Sequence, residues 1–144
     1  MKTSILCIIP LGLLLTTSSC TNNDTSNQVV STTRQEKPII KKDVDVAEFA
    51  TLVNNGKGQV LDVRTPEEWA EGVIEDAIKM NFFDEDFNAQ LTQLDKNKPV
   101  YVYCKSGGRS GKTATQMEAM GFTAVYNLVG GIGAWDAAGN KKVK

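Results

Sequence analysis

The sequence predicts an α/β domain, with a central parallel five-stranded sheet and helices on both faces. Two observations carry this. Short runs rich in β-branched and aromatic residues alternate with stretches whose apolar residues recur at helical spacing. One of those runs, Pro99-Val-Tyr-Val-Tyr103, is apolar throughout and ends directly on Cys104. It then passes through Lys105-Ser-Gly-Gly-Arg109 into an amphipathic helix. A strand apolar towards both sides belongs inside a parallel sheet, where helical crossovers cover both faces.

Composition bounds the rest. The 144 residues suit one folded domain, and 41% hydrophobic content is ordinary for a globular one. A formal net charge of −1 leaves no basic footprint, so no nucleic acid is expected as a partner. The chain has no histidine, which removes Cys-His dyads, Ser-His-Asp triads and most zinc sites. No metal and no cofactor are expected, and the domain is expected to be a monomer.

The start of the chain reads as a leader. Lys2 precedes the apolar run Ile5 to Leu15, shorter than the roughly 20 residues that a membrane span needs. Thr16-Thr-Ser-Ser-Cys20 follows, which is the layout of a secretory signal. Its end resembles a bacterial lipobox, whose cysteine is lipidated, although Thr17 stands where leucine is usual. The expectation is a signal peptide over residues 1–19, a lipidated Cys20 with a polar tether over 20–37, and a domain over 38–144. That arrangement puts the protein in a bacterial cell envelope, outside the cytoplasm and anchored to the membrane. The other reading is an ordinary cleaved signal. Cys7 lies in the signal, so with Cys20 lipidated Cys104 is the one thiol left, without a disulfide partner.

Within the domain, Pro38-Ile39-Ile40 reads as a short edge strand. Asp45 with Glu48 is a capping-box signal, and Val46, Phe49, Leu52 and Val53 give the helix its apolar face until Asn55-Gly56 ends it. Val60-Leu61 is a strand leading into Asp62-Val63-Arg64. Thr65-Pro66-Glu67-Glu68 combines an N-cap, a proline at the first helical position and an acid after it, and Trp69 on this short helix reads as core. Ala77 to Asn81 is a short strand, and Asp84 to Leu94 a helix with Phe87, Leu91 and Leu94 facing inward. Ser110 opens the helix after the central strand, with Ala114, Met117 and Met120 near one face and Gly121 stopping it. Ala124 to Leu128 is the last strand, and Ile132 to Ala138 a last helix carrying Trp135 as a core residue. Gly139 to Lys144 is a basic end expected to fray.

The chemistry is expected at Cys104. Ligands of open parallel sheets bind beyond the carboxyl ends of the strands, where helix N-termini favour an anion. A cysteine in that place can hold its nucleophilic thiolate form. Gly107 and Gly108 lack Cβ atoms, so their N–H groups can turn inward as an anion-holding nest. Arg109 adds a fixed cation with forked donors. A lone buried cysteine is ordinarily a small hydrophobe, but glycines, Lys105 and Arg109 do not suit a core position. Arg64 either reaches the site from the neighbouring strand end or pairs with a carboxylate to hold the loop. The structural role is preferred for Arg64, and more strongly for Asp62.

Cys104 to Ser110 resembles the active-site loop of the rhodanese-like sulfurtransferases, Cys-x-x-Gly-x-Arg-Ser. Leu61-Asp-Val-Arg-Thr-Pro-Glu-Glu-Trp69 is similar to that family's early strand and turn, and Gly130-Gly-Ile-Gly-Ala-Trp135 to its closing motif. The family usually has Gly-His-Ile where this chain has Gly72-Val73-Ile74. The resemblance implies a rhodanese-like fold and a sulfurtransferase. Cys104 would attack a sulfane sulfur donor such as thiosulfate, carry a persulfide and pass it to a thiophilic acceptor, a thiol or cyanide. It further implies a substrate-binding loop of Lys105, Ser106, Gly107, Gly108, Arg109 and Ser110, with Lys105 and Arg109 on the donor anion.

Three rivals are weaker. Cysteine-based phosphatases and arsenate reductases place one residue more between cysteine and arginine than Lys105 to Gly108 here, and the shorter cradle suits a single sulfur. Ser106 to Thr113 nearly matches a nucleotide-binding P-loop, but its first glycine is missing. A non-catalytic envelope binding module on the same fold is the third, and an intact Cys104-to-Ser110 loop argues against it.

Overall fold

In the computed structural model of the chain, residues 38–144 are described. The expected signal peptide, Cys20 and the tether lie outside the described residues.

Five parallel strands form one sheet: β1 (Ile40–Val44), β2 (Gln59–Asp62), β3 (Ile78–Lys79), β4 (Val100–Tyr103) and β5 (Ala124–Leu128). They lie in the order β1-β5-β4-β2-β3, so β4 is central. The helices are α1 (Val46–Asn54), α2 (Pro66–Trp69), α3 (Phe87–Leu91), α4 (Gly108–Ala119) and α5 (Gly131–Ala137). All four residues of β4 are buried, which explains an apolar run without alternation. Val100 and Val102 pack with Phe87, Leu91, Ala114 and Met117, beneath α3 and α4. Tyr101 and Tyr103 face the other way, onto Leu128 of β5 and onto Phe49, Ile132 and Trp135 of the α1 and α5 layer. Phe49 anchors that second layer with its ring edge-on to Tyr103 at 6.5 Å and to Trp135 at 6.2 Å.

Several boundaries differ from the sequence expectation. β1 starts at Ile40 and runs on to Val44, because the whole of Ile40–Val44 finds parallel partners in Ala124–Leu128. α3 is shorter than Asp84–Leu94. Side chains of Asn81 and Gln90 bond Asp84, and Gln90 also bonds Asp86, while Phe87, Thr92, Gln93 and Leu94 donate to carbonyls three residues back. The flanks are therefore tight turns, yet Phe87, Leu91 and Leu94 are buried as expected. α4 begins at Gly108, two residues before Ser110, because Gly107 caps it in a left-handed conformation.

The basic end does not fray. Val143 and Val73 exchange backbone hydrogen bonds of 2.8 Å, the Trp135 indole donates to the Lys141 carbonyl, and Lys142 pairs with Asp136. Trp135 is buried as expected, but Trp69 is only half-buried and its indole N–H has no partner among the described residues. The α2 turn is too short to press Trp69 into either layer.

Candidate active site

Cys104 follows the last residue of central β4 and is 1% exposed. Its own loop holds it from above. Gly107 N–H donates to Sγ at 3.1 Å, and the Ser110 hydroxyl lies 3.4 Å from Sγ and 3.1 Å from the Gly107 carbonyl. Burial alone pushes the Cys104 thiol up. Hydrogen bonds from the Ser110 hydroxyl and from the backbone N–H groups of Ser110, Ser106 and Gly107 outweigh it, so the thiol ends below its ordinary value. The nest expected from the sequence is thus present in part. Gly107 supplies an N–H, whereas the place of Gly108 is taken by Ser106 and Ser110.

Two glycine turns lock the loop in place. Gly107 has φ +97°, and a Cβ there would press on the Leu128 carbonyl at 3.2 Å and on Gly130 N at 3.3 Å. Gly131, at φ +57°, would collide with the carbonyls of Cys104 and Lys105 if it carried a Cβ. That close approach lets Ile132 N–H reach the Cys104 carbonyl at 2.8 Å and Gly133 N–H the Lys105 carbonyl at 3.3 Å. The first turn of α5 therefore clamps the backbone beneath the sulfur. Gly108 needs no such freedom, since a Cβ there meets nothing within 4 Å.

The sequence expectation made Arg109 a fixed cation whose forked donors serve the anion in the cradle. In the structure Arg109 meets a carboxylate with those donors. Its guanidinium makes a two-pronged pair with the Glu68 carboxylate, at 2.7 and 2.8 Å, and stacks 5.7 Å over the Phe83 ring. The Glu68 carboxylate, and to a smaller extent the nearby Cys104 sulfur, push the Arg109 guanidinium above its ordinary value, so its charge is matched chiefly by Glu68. Hydrogen bonds from Arg109 hold the Glu68 carboxyl at about 2, so the pair is ionised at neutral pH. Lys105 and Ser106 are exposed on the loop.

Arg64 and Asp62 lie below this surface. The Arg64 guanidinium donates to both Asp62 oxygens, at 2.7 to 3.0 Å, and to the carbonyls of Glu68 and Gly72. It lies 5.6 Å from the centre of the Tyr103 ring, whose hydroxyl accepts from Ile74 N–H. Burial and the nearby Asp62 charge push that hydroxyl well above the usual tyrosine range. These contacts tie β2, β4 and the α2 turn together and leave neither Arg64 nor Asp62 facing the sulfur.

Sequence reasoning missed Glu68 as a partner of Arg109. The signal was present but double: Glu68 also caps α2, its carboxylate accepting from Thr65 N–H at 3.0 Å. Phe83 carried no signal, since it is 66% exposed on an irregular turn.

No group of three or more potential metal-ligating side chains occurs among the described residues. No helix among them is long and apolar enough to cross a membrane.

The chain is similar to known proteins in sequence and in fold. Thiosulfate sulfurtransferase 18 of Arabidopsis thaliana is 33% identical over 122 residues, covering 76% of this chain and 87% of that protein. A protein named sulfurtransferase from Allochromatium vinosum is 36% identical over 76 residues, covering 53% of this chain and 69% of its own length. Among solved structures, a rhodanese-related protein from Thermoplasma volcanium superposes with a TM-score of 0.64 at 26% identity, over 72% of this chain and 98% of that one. The family model of the rhodanese-like domain matches residues 45–138, which takes in the Asp62–Trp69 turn, the Cys104 loop and Trp135. The chain belongs to the rhodanese-like domain family.

Proposed function

We propose that the chain is a sulfurtransferase that carries sulfane sulfur as a persulfide on Cys104. The observation that supports this most is the surroundings of Sγ, where Gly107 N–H and the Ser110 hydroxyl converge and outweigh burial. The Cys104 thiolate attacks the outer sulfur of a donor, of which thiosulfate is the simplest. The donor's S–S bond breaks, and its leaving sulfur departs with the electron pair, as sulfite when the donor is thiosulfate. A nucleophilic acceptor, a thiol or cyanide, then attacks the outer sulfur of the persulfide and returns the thiolate. The N–H groups that hold the thiolate also serve the terminal sulfur of the persulfide, so both states share one cradle. Ser106 and Gly107 line it, Ser110 supplies its hydroxyl, and Arg109 closes it on the Glu68 side. The apolar run Ile5 to Leu15 leading into Thr16-Thr-Ser-Ser-Cys20 supports a lipid anchor on Cys20, and with it a place for this chemistry in the cell envelope.

Intact mass of the domain before and after treatment with thiosulfate tests the reading. One added sulfur, absent from Cys104→Ser and removed by cyanide or dithiothreitol, is expected. A mass unchanged by thiosulfate and by an organic persulfide alike overturns it in favour of the binding module.

A further inference from the structure

The two arginines nearest the Cys104 loop, Arg109 and Arg64, are each paired with a carboxylate. Arg109 is held by both oxygens of Glu68 at 2.7 and 2.8 Å, and Arg64 by both oxygens of Asp62. The Arg109–Glu68 pair is mostly shielded from water, with side-chain exposures of 20% and 16%. Salt therefore screens it little. Lys105 stands exposed on the loop, where solvent weakens its field. The N–H groups at the start of α4 are already engaged by the sulfur itself. A doubly charged donor such as thiosulfate thus approaches a thiolate with no uncompensated buried cation to offset the repulsion.

We infer that Glu68 is a specificity-determining residue, which turns this site away from dianionic donors and towards organic persulfides. The inference builds on the sulfurtransferase reading of Cys104. In the favoured reaction the thiolate attacks the outer sulfur of R–S–SH, a Cys104–S–SH bond forms, the R–S bond breaks, and RS⁻ leaves with the electron pair. The donor carries at most one negative charge at the reacting end, so it meets a neutral Arg109–Glu68 pair without penalty. The apolar ring of Phe83, 66% exposed beside Arg109, offers an R group a surface that thiosulfate has no use for.

The test compares sodium thiosulfate with the persulfide of 2-mercaptoethanol, following persulfide on Cys104 by mass in single turnovers. Wild-type protein is expected to prefer the organic persulfide, and its rate with thiosulfate is expected to stay flat or rise as sodium chloride is added. Glu68→Gln keeps an oxygen for Arg109 while removing the charge. It is expected to raise the thiosulfate rate roughly tenfold relative to the persulfide rate, and to make the thiosulfate rate fall with salt. Adding Arg109→Gln to Glu68→Gln is expected to abolish that gain, because the freed cation is its source. Equal losses on both donors in Glu68→Gln would make Glu68 a purely structural clamp and overturn the inference. So would a wild-type thiosulfate rate that falls steeply with salt, a readout that stands even where the variant fails to fold. Absence of persulfide from both donors in wild-type protein instead removes the sulfurtransferase reading, and this inference with it.

Discussion

Arg64 folds back onto Asp62, two residues earlier in the chain, and the two side chains are 1% and 0% exposed. Two charges are buried there at once, and neither is tolerable alone. The pair is held further by the Glu68 and Gly72 carbonyls, so the turn that carries Glu68 is positioned by a group beneath it. Arg64→Leu leaves Asp62 buried without a partner and is expected to cost about 3–5 kcal/mol. Arg64→Lys is expected to recover little, since a single ammonium cannot reach two carboxylate oxygens and two carbonyls in one plane. Urea unfolding followed by circular dichroism measures both. A loss under about 1 kcal/mol for Arg64→Leu would show that the turn is set by something other than this pair.

The two adjacent glycines of the loop separate cleanly. Gly107 has φ +97° and backbone atoms 3.2 and 3.3 Å from any Cβ, while Gly108 is ordinary first-turn helix with open space beside it. Gly107→Ala is expected to lose roughly 1–3 kcal/mol and to slow persulfide formation, because the N–H it aims at Sγ must shift. Gly108→Ala is expected to stay within about 0.5 kcal/mol of the parent and to keep its activity. Thermal melts and single-turnover mass measurements decide it; equal effects at both positions would mean that the loop geometry is set elsewhere.

What the sequence made legible follows from which interactions are local. The β4 run, the Asp45–Glu48 cap and the helical apolar faces depend on neighbours within a few residues, and each lies where the pattern put it. Gly107 and Gly131 were visible as glycines, but their purpose lies in approaches between loops distant in the chain. The Arg109–Glu68 pair spans 41 residues, and nothing local distinguishes a cation aimed at a ligand from one aimed at a carboxylate. The terminal Val143 pairing escaped for the same reason, since a lone bridge to Val73 leaves no periodic trace in a basic tail. Ser110 was read as the start of a helix, and its hydroxyl was of use to the sulfur only because the helix starts one half-turn earlier.

Residues 1–37 lead to a separate expectation. Ile5 to Leu15 running into Thr16-Thr-Ser-Ser-Cys20 supports lipidation at Cys20. Cys20→Ser is expected to move the expressed protein from the detergent phase of a Triton X-114 partition to the aqueous phase. Unchanged partitioning would leave an ordinary cleaved signal as the better account.

The ionisation of Cys104 tests the cradle itself. No histidine is present, so the thiol is the group expected to control alkylation near neutral pH. Its rate with iodoacetamide should follow a single ionisation whose midpoint lies below that of an ordinary thiol, because hydrogen bonds to the charged form outweigh burial. The Ser110 hydroxyl is the largest of those opposing contributions. Ser110→Ala removes a donor that favours the thiolate, so the midpoint must move upward, and alkylation at pH 7 is expected to slow about five- to tenfold. Arg109→Ala also moves the midpoint upward, because it leaves the Glu68 carboxylate unmatched; Arg109→Ala combined with Glu68→Gln removes both charges and is expected to move the midpoint by less than Ser110→Ala. A larger effect from that double variant than from Ser110→Ala would show a net cation at the sulfur. It would return the site to one built for a doubly charged donor.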